Sequence, residues 1–340
     1  MKLKGQHLLS VKDINLDLIN ELFDVADKMR PYAQRQKVTR VLEGALLGNM
    51  FFEPSTRTRV SFGCAFNLLG GEVRETTGLS NSALAKGESL FDTAQVLSGY
   101  SDIIAMRHPD AGSVAEFSQG SRVPVINGGD GPNEHPTQAL LDLFTVHKEL
   151  ARLNKDISDL SLTLLGDLKH GRTVHSLCQL LGLYKGLKIQ LISPQALEMP
   201  SKYVDILTNA GHEVVIGHKL EEGLPQANII YQTRIQEERF ASQEEANRYR
   251  GYFRLNKQVY SDHCQPGAVI MHPLPRDSRN EANELDNDLN AEPGLAIFRQ
   301  TDNGILVRMA LFACILGVED QVARYERPVN WYAGLSNEPK

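Results

Sequence analysis

Tryptophan is nearly missing, at one residue in 340, and cysteine is scarce, at four. Cys64, Cys178, Cys264 and Cys314 stand far apart, so no pair has the spacing of a metal knuckle or a redox motif. Reduced thiols in a cytoplasmic protein follow as the simplest expectation. No apolar run is long enough to span a bilayer, which excludes a helical membrane protein. The first residues, Met1 to His7, hold no apolar core of the signal-peptide kind, so the expected location is the cytoplasm. Basic excess is missing too. A net charge of −6 and a pI near 6.0 argue against general nucleic-acid binding, which needs a basic face. The G-x-G-x-x-G fingerprint is absent, so a nicotinamide-binding protein is disfavoured. Repeats and low-complexity segments are absent. No cluster of metal-ligating side chains stands out.

What is present describes an ordinary globular chain, 41% hydrophobic and 23% charged, with a length that favours two domains. Apolar runs alternate with helical patterns, which predicts an α/β fold with doubly wound parallel sheets. Strands are predicted over Ala45 to Phe52, Ser101 to Met106, Val123 to Ile126, Ser161 to Leu165, Leu187 to Ile192, Val214 to Ile216, Ala227 to Tyr231 and Val269 to Met271. A helix over residues 12–36 has Asp13 as its candidate cap, and Arg30, Arg35, Lys37 and Arg40 make a solvated face near its end. Residues 237–256 read as an exposed connection, 277–293 as a polar surface loop, and Ile305 to Val318 as a closing helix.

The chain is organised around Phe51-Phe52-Glu53-Pro54-Ser55-Thr56-Arg57-Thr58-Arg59. A buried strand stops at Glu53-Pro54, and a helical pattern follows. Hydroxyls of Ser55, Thr56 and Thr58 and the Arg57 guanidinium therefore sit at a helix N-terminus, where free N–H groups and the helix dipole favour an anion. Phosphate is the simplest fit. The bland alternative is an N-cap with solvated arginines.

Arg107 stands at the end of another strand, and open α/β sheets gather ligands at carboxyl ends of strands. The glycine-rich stretch Asn127 to Gly131 reads as a turn that brings backbone close to a ligand, with His135 and Gln138 at the following helix start. Arg172 opens a further helix, ready to meet a carboxylate, and Arg234 and Gln236 follow a strand. Pro273-Leu274-Pro275 fixes an extended backbone whose carbonyls can be aimed at a ligand. Ser82 and Lys86 lie in a small-residue polar loop, where a solvated lysine is the default.

Six stretches in order resemble the aspartate carbamoyltransferase catalytic chains. They are Phe52 to Arg59, Met106 to Pro109, His135 to Gln138, Gly166 to His175, Thr233 to Gln236 and His272 to Arg276. The resemblance covers about residues 1–320. Ornithine carbamoyltransferases share the first and third stretches but typically carry cysteine where Pro273 stands. A departure is Ser61-Phe62-Gly63, where the family commonly has Ser-Phe-Glu, and a packing change alone is expected there.

The resemblance implies two domains with the active site in the cleft between them. Residues 1–147 would bind carbamoyl phosphate, completed by a C-terminal helix at 304–320. Residues 148–303 would bind aspartate. The resemblance does not cover the C-terminal extension 321–340, whose residues from Tyr325 on read as packed on the surface. The implied reaction moves the carbamoyl group of carbamoyl phosphate to the amino group of L-aspartate, in de novo pyrimidine biosynthesis, and such chemistry requires neither a metal nor a cofactor. By resemblance, Ser55, Thr56, Arg57 and Thr58 hold phosphate, and Thr58, Arg107 and His135 act on the carbonyl oxygen. Gln138 and the carbonyls of Pro273 and Leu274 take the carbamoyl amino group; Lys86, Arg172, Arg234 and Gln236 take aspartate. Ser82 and Lys86 would reach into a neighbouring subunit's site, which implies a homotrimer. Whether regulatory chains or a dihydroorotase also bind is left open. A catalytically silent assembly partner could lose its ligands freely, but every expected ligand type is present.

Overall fold

The computed structural model of the chain describes residues 3–78, 83–279 and 282–331. Its strands are β1 (Lys37–Thr39), β2 (Leu46–Phe51), β3 (Glu72–Thr77), β4 (Ile103–His108), β5 (Val125–Asp130), β6 (Ser161–Leu165), β7 (Lys188–Ile192), β8 (Glu213–Gly217), β9 (Ile229–Gln232), β10 (Val269–Met271) and β11 (Glu326–Pro328). The chain divides into two compact units, Met1–Leu140 with Asn303–Lys340, and Leu141–Asp302. The divisions fall inside the helices Pro136–Arg152 and Ile297–Leu316. Among the described residues no helix is long and apolar enough to cross a membrane.

The first unit holds a parallel sheet in the order β3-β2-β4-β5. Successive side chains of a strand point to opposite faces, and here both faces are covered. Met50, Ile104, Met106 and Val125 pack with Val114 and Phe117 on one side. Phe51 meets Phe62, and Phe62 and Phe66 meet Phe312 edge-on at 5.9 and 5.0 Å between centroids. The helix Thr56–Leu68 is thereby fixed against the C-terminal helix, so its N-terminus has a set position at the end of β2.

The second unit holds a parallel sheet in the order β10-β9-β6-β7-β8. Leu165, Ile192, Ile230 and Ile270 join Phe253, Leu255, Leu285 and Leu289 in its core. The buried strands β6, β7, β9 and β10 read as near-continuous apolar runs, as strands covered on both faces do, while the edge strand β8 leaves Val215 and Ile216 exposed.

Several sequence-based expectations change. Asp13 does not cap the first long helix; Asn15 does, its side chain accepting from Leu18 N, while Asp13 accepts from Leu9 and Ser10 N–H groups. The basic residues at 35–40 are no helix face. The chain leaves the helix and forms β1, which pairs antiparallel with β11 of the C-terminal extension. The strand β3 is absent from the sequence reading, because Glu72, Arg74, Glu75 and Thr77 make it polar, as an edge strand can be. The glycine-rich turn proves to be the end of β5, which runs through Gly128 and Gly129 to Asp130. Residues 277–293 are not a surface loop throughout, since Glu284, Leu285 and Leu289 are buried.

Candidate active site

A parallel sheet whose chain reverses direction of progress has a switch point, where the loops leaving two neighbouring strands diverge and open a crevice. In the first unit the chain passes from β2 outward to β3, then returns to β4 on the other side of β2. The switch therefore lies at the ends of β2 and β4, which carry Glu53 to Thr58 and Arg107. In the second unit β6 leads to β7 and β8, and β9 and β10 lie on the other side of β6. That switch lies at Gly166-Asp167 and Thr233-Arg234.

At the first switch point Phe51 pairs with Arg107 in register, and Phe52 N donates to Arg107 O at 2.9 Å. The Arg107 guanidinium is nearly buried and its Nε lies 2.8 Å from Glu53 Oε2. Ser55 is the N-cap residue of the helix Thr56–Leu68, yet its side chain makes no capping hydrogen bond. First-turn N–H groups of a helix lack intrahelical acceptors, so this end offers donors to an anion. A hollow of about 400 Å³ opens beside it, lined by Glu53, Ser55, Thr56, Arg59, Thr77 and Gly78 among others. Arg57 and Thr58 follow in the same turn but are not in its lining. Arg59 forms an ion pair with Glu75 of β3, and Asn49 Nδ2 donates to the same carboxylate at 3.0 Å. A side chain at Gly63 would meet that Glu75, Asn49 and Val73, so the departure noted at this position faces the sheet.

The loop that leads to His135 is tied to the ends of β4 and β5. Gly131 N donates to His108 O at 2.8 Å, and a Cβ on Gly131 would stand 2.1 Å from Pro109 O. With φ of +55°, this position favours glycine, and only glycine lets the ends of β4 and β5 come so close. Asp130 accepts from Gly112 N, Asn133 Nδ2 and Glu134 N at 2.9, 2.9 and 3.1 Å. The buried Glu134 accepts from Val11 N at 2.8 Å and Ser10 Oγ at 3.1 Å. The buried His135 then stands before the helix Pro136–Arg152, with Gln138 half-buried in its first turn. His108 is buried against Phe52, and burial holds its pKa below the ordinary value.

At the second switch point Gly166 has φ of +115°, and a Cβ there would stand 2.4 Å from Thr233 O. Its absence lets β6 and β9 end side by side. The fully buried Asp167 ties the two loops: Oδ1 accepts from His170 N at 3.0 Å, and Oδ2 from Gln236 N at 3.1 Å. Arg172 opens the helix Arg172–Leu181, and Arg234 and Gln236 are half-buried. Pro273 and Leu274 follow β10, with Leu274 at φ of +57°. Lys86 is exposed at the end of a short 3₁₀ turn, and Ser82 lies outside the described residues. No group of three or more His, Cys, Asp or Glu side chains among the described residues is arranged to hold a metal ion.

The family model for the aspartate/ornithine carbamoyltransferase carbamoyl-P binding domain matches residues 6–148. That for the Asp/Orn binding domain of the same family matches residues 158–315. The chain belongs to this carbamoyltransferase family. Among carbamoyltransferase relatives, the aspartate carbamoyltransferase catalytic subunit of Saccharophagus degradans is 67% identical over 332 residues, 98% of either chain. The catalytic subunit of M. jannaschii aspartate transcarbamoylase superposes with a TM-score of 0.83 at 39% identity, covering 93% of this chain and 99% of that one. The Trypanosoma cruzi aspartate transcarbamoylase in complex with N-(phosphonacetyl)-L-aspartic acid gives a TM-score of 0.83 at 33% identity, covering 93% and 97%.

Within this carbamoyltransferase the expected residues fall into two groups. Ser55, Thr56, Arg57, Thr58, Arg107, His135 and Gln138 belong to the first unit, and Arg172, Arg234, Gln236, Pro273 and Leu274 to the second. Sequence reasoning passed over Glu53, Glu134 and Asp167. Each is an acid inside or beside a cationic motif, and that adjacency was the available signal.

Proposed function

We propose that this carbamoyltransferase acts on carbamoyl phosphate and L-aspartate through the two groups of residues just described. The chemistry is transfer of the carbamoyl group to the aspartate amine, giving N-carbamoyl-L-aspartate and phosphate. The observation that supports the assignment of residues is their position: the cationic and hydroxyl-bearing motifs follow the strands on either side of each switch point.

In this reading Ser55, Thr56, Arg57 and Thr58 receive the phosphate of carbamoyl phosphate at the helix N-terminus. Arg107 spans phosphate and carbonyl, which requires it to exchange its contact with Glu53 for substrate. Arg172, Arg234 and Gln236 take the two carboxylates of aspartate, for which guanidinium forks suit the geometry. The unprotonated amine attacks the carbonyl carbon. A C–N bond forms, and negative charge gathers on the carbonyl oxygen. Thr58, Arg107 and His135 donate to that oxygen; a neutral imidazole with one N–H suffices. The C–O bond to phosphate then breaks, phosphate leaves with the electron pair, and the nitrogen loses a proton as it becomes an amide. Gln138 and the carbonyls of Pro273 and Leu274 accept the carbamoyl amino group.

The working assembly in this reading is a cytoplasmic homotrimer in which Ser82 and Lys86 serve a neighbouring subunit. Lys86 is exposed, and the helix Leu90–Leu97 beside it presents Phe91 and Val96 to the surface, each 47% exposed, with Tyr100 at 65%. In this reading these side chains face the neighbouring subunit. The deciding assay offers carbamoyl phosphate with aspartate and, separately, with ornithine. Carbamoyl aspartate is expected as the product, with no carbamoylation of ornithine. Turnover of ornithine in preference to aspartate would overturn the acceptor assignment.

A further inference from the structure

Two buried ionisable groups in the second unit have no role in the reaction as described above. His272 is 1% exposed and Glu284 4%, and His272 Nε2 stands 2.9 Å from Glu284 Oε1. Burial of such a pair is costly unless it is well partnered, so its partners say what it does. His272 Nδ1 accepts from Leu274 N at 2.8 Å. A nitrogen that accepts carries no proton, so the ring proton sits on Nε2, beside Glu284. Both oxygens of Glu284 also lie 3.2 Å from Asp277 N, which donates to the carboxylate. Glu284 therefore stands against both ends of the turn from His272 to Asp277, accepting from Asp277 N at one end and lying 2.9 Å from the His272 ring nitrogen at the other.

That turn contains Leu274, at φ of +57°, a conformation unusual for a residue with a branched side chain. A residue in the left-handed region persists where its surroundings hold it, and such positions gather at functional sites. The strand side of the turn is anchored as firmly. His272 N donates to Gln300 Oε1 at 2.9 Å, and Gln300 Nε2 donates to Asp142 Oδ1 at 2.7 Å. Tyr231 OH donates to Asp142 Oδ2 at 2.7 Å. Buried side chains thus lead from the strand β9 to the turn that presents the carbonyls of Pro273 and Leu274.

We propose that His272 and Glu284 are positioning residues that clamp this turn and aim its carbonyls at the amide N–H groups of the carbamoyl donor. The inference rests on the reading of Pro273 and Leu274 given under the proposed function. Two carbonyls fixed in direction recognise a donor that carries N–H groups. They give nothing to one that does not. The clamp therefore sets specificity between carbamoyl phosphate and acetyl phosphate, which has the same phosphate and carbonyl but a methyl group in place of the amine.

The test compares wild type with His272→Phe, His272→Asn and Glu284→Gln in the full-length protein, each checked for thermal unfolding. kcat/KM is measured for carbamoyl phosphate, and inhibition constants against it for acetyl phosphate and inorganic phosphate. His272→Phe removes the acceptor for Leu274 N. It is expected to lower kcat/KM by roughly a hundredfold, the cost typical of a misplaced reacting group, with both inhibition constants unchanged. His272→Asn, whose amide oxygen stands near the place of Nδ1, and Glu284→Gln, which keeps an acceptor oxygen, are expected to recover most of that loss. Equal weakening of all three ligands would mean a merely structural role, and so would full retention of carbamoyl phosphate use in His272→Phe. If His272→Phe does not fold, Glu284→Leu decides by the same comparison. A wild-type protein that binds acetyl and carbamoyl phosphate equally would instead overturn the reading of Pro273 and Leu274 itself.

Discussion

Gly166 shows how one missing atom can place two motifs. A Cβ at this position would stand 2.4 Å from Thr233 O, well inside contact distance, and its φ of +115° is unsuited to any other residue. Gly166→Ala is therefore expected to separate the ends of β6 and β9 and to cost on the order of 1–3 kcal/mol. Its kinetic effect should fall on the KM for aspartate more than on that for carbamoyl phosphate, because Arg172, Arg234 and Gln236 hang from these ends. Equal changes in both constants would count against the division of substrates between the two groups of residues.

Histidine burial predicts a pH response of known sign. Burial pushes the His175 pKa down to about 4, where the ring stacks on Tyr203 and Nε2 donates to Leu168 O at 2.8 Å. Burial likewise lowers His147 to about 4. Both rings are neutral in the folded protein near neutral pH and titrate near 6.5 once unfolded. Below pH 6.5 the unfolded chain takes up protons that the folded chain refuses, so stability falls as pH drops from about 6.5 toward 4. Above 6.5 these groups contribute no slope. Urea midpoints at pH 7 and pH 5 measure the fall, and His175→Gln should make it shallower.

Among the elements, the pairing of β1 with β11 gives the C-terminal extension a structural task. Tyr32 OH donates to Glu326 Oε2 at 2.6 Å, Lys37 Nζ lies 2.7 Å from Glu326 Oε1, and Thr39 Oγ1 donates to Val322 O at 2.8 Å. Tyr32 is buried at 4% exposure, and its pKa is raised by burial and then by Glu326. Lys37 and its partner are solvated, and exposed ion pairs are worth little. Tyr32→Phe is thus expected to lower the unfolding temperature by a few degrees and Lys37→Ala to leave it nearly unchanged. Calorimetry on the two variants separates these outcomes; the reverse order would make the ion pair the main tie.

On the scale of the whole molecule, the proposed homotrimer with sites shared between subunits makes a prediction that no single-site reading makes. Lys86→Ala and Arg57→Ala proteins, each impaired alone, should regain activity when dissociated and reassembled together. In a mixed trimer one site can combine an intact Lys86 from one subunit with an intact Arg57 from the next. Reassembly confirmed by native mass, with no recovered activity, would sink the shared site.

The strands on either side of each switch point were legible because parallel strands buried on both faces leave long apolar runs in the sequence. β3 was not, since an edge strand with Glu72, Arg74 and Glu75 has no such run. The tail was equally silent: Glu326-Arg327-Pro328 pairs with residues nearly 300 positions earlier, and no local pattern encodes a partner so distant. By itself the sequence determined which residue types end each strand, and hence the cationic and hydroxyl-bearing character of the motifs. Strand order was decided only by the tertiary structure, because it follows from packing both sheet faces at once. The same holds for the supporting carboxylates. Glu53, Asp167 and Glu284 look like solvated charges in a linear chain, and only the fold, by burying Asp167 and Glu284 and half-burying Glu53 beside Gln236, His272 and Arg107, turns them into supports.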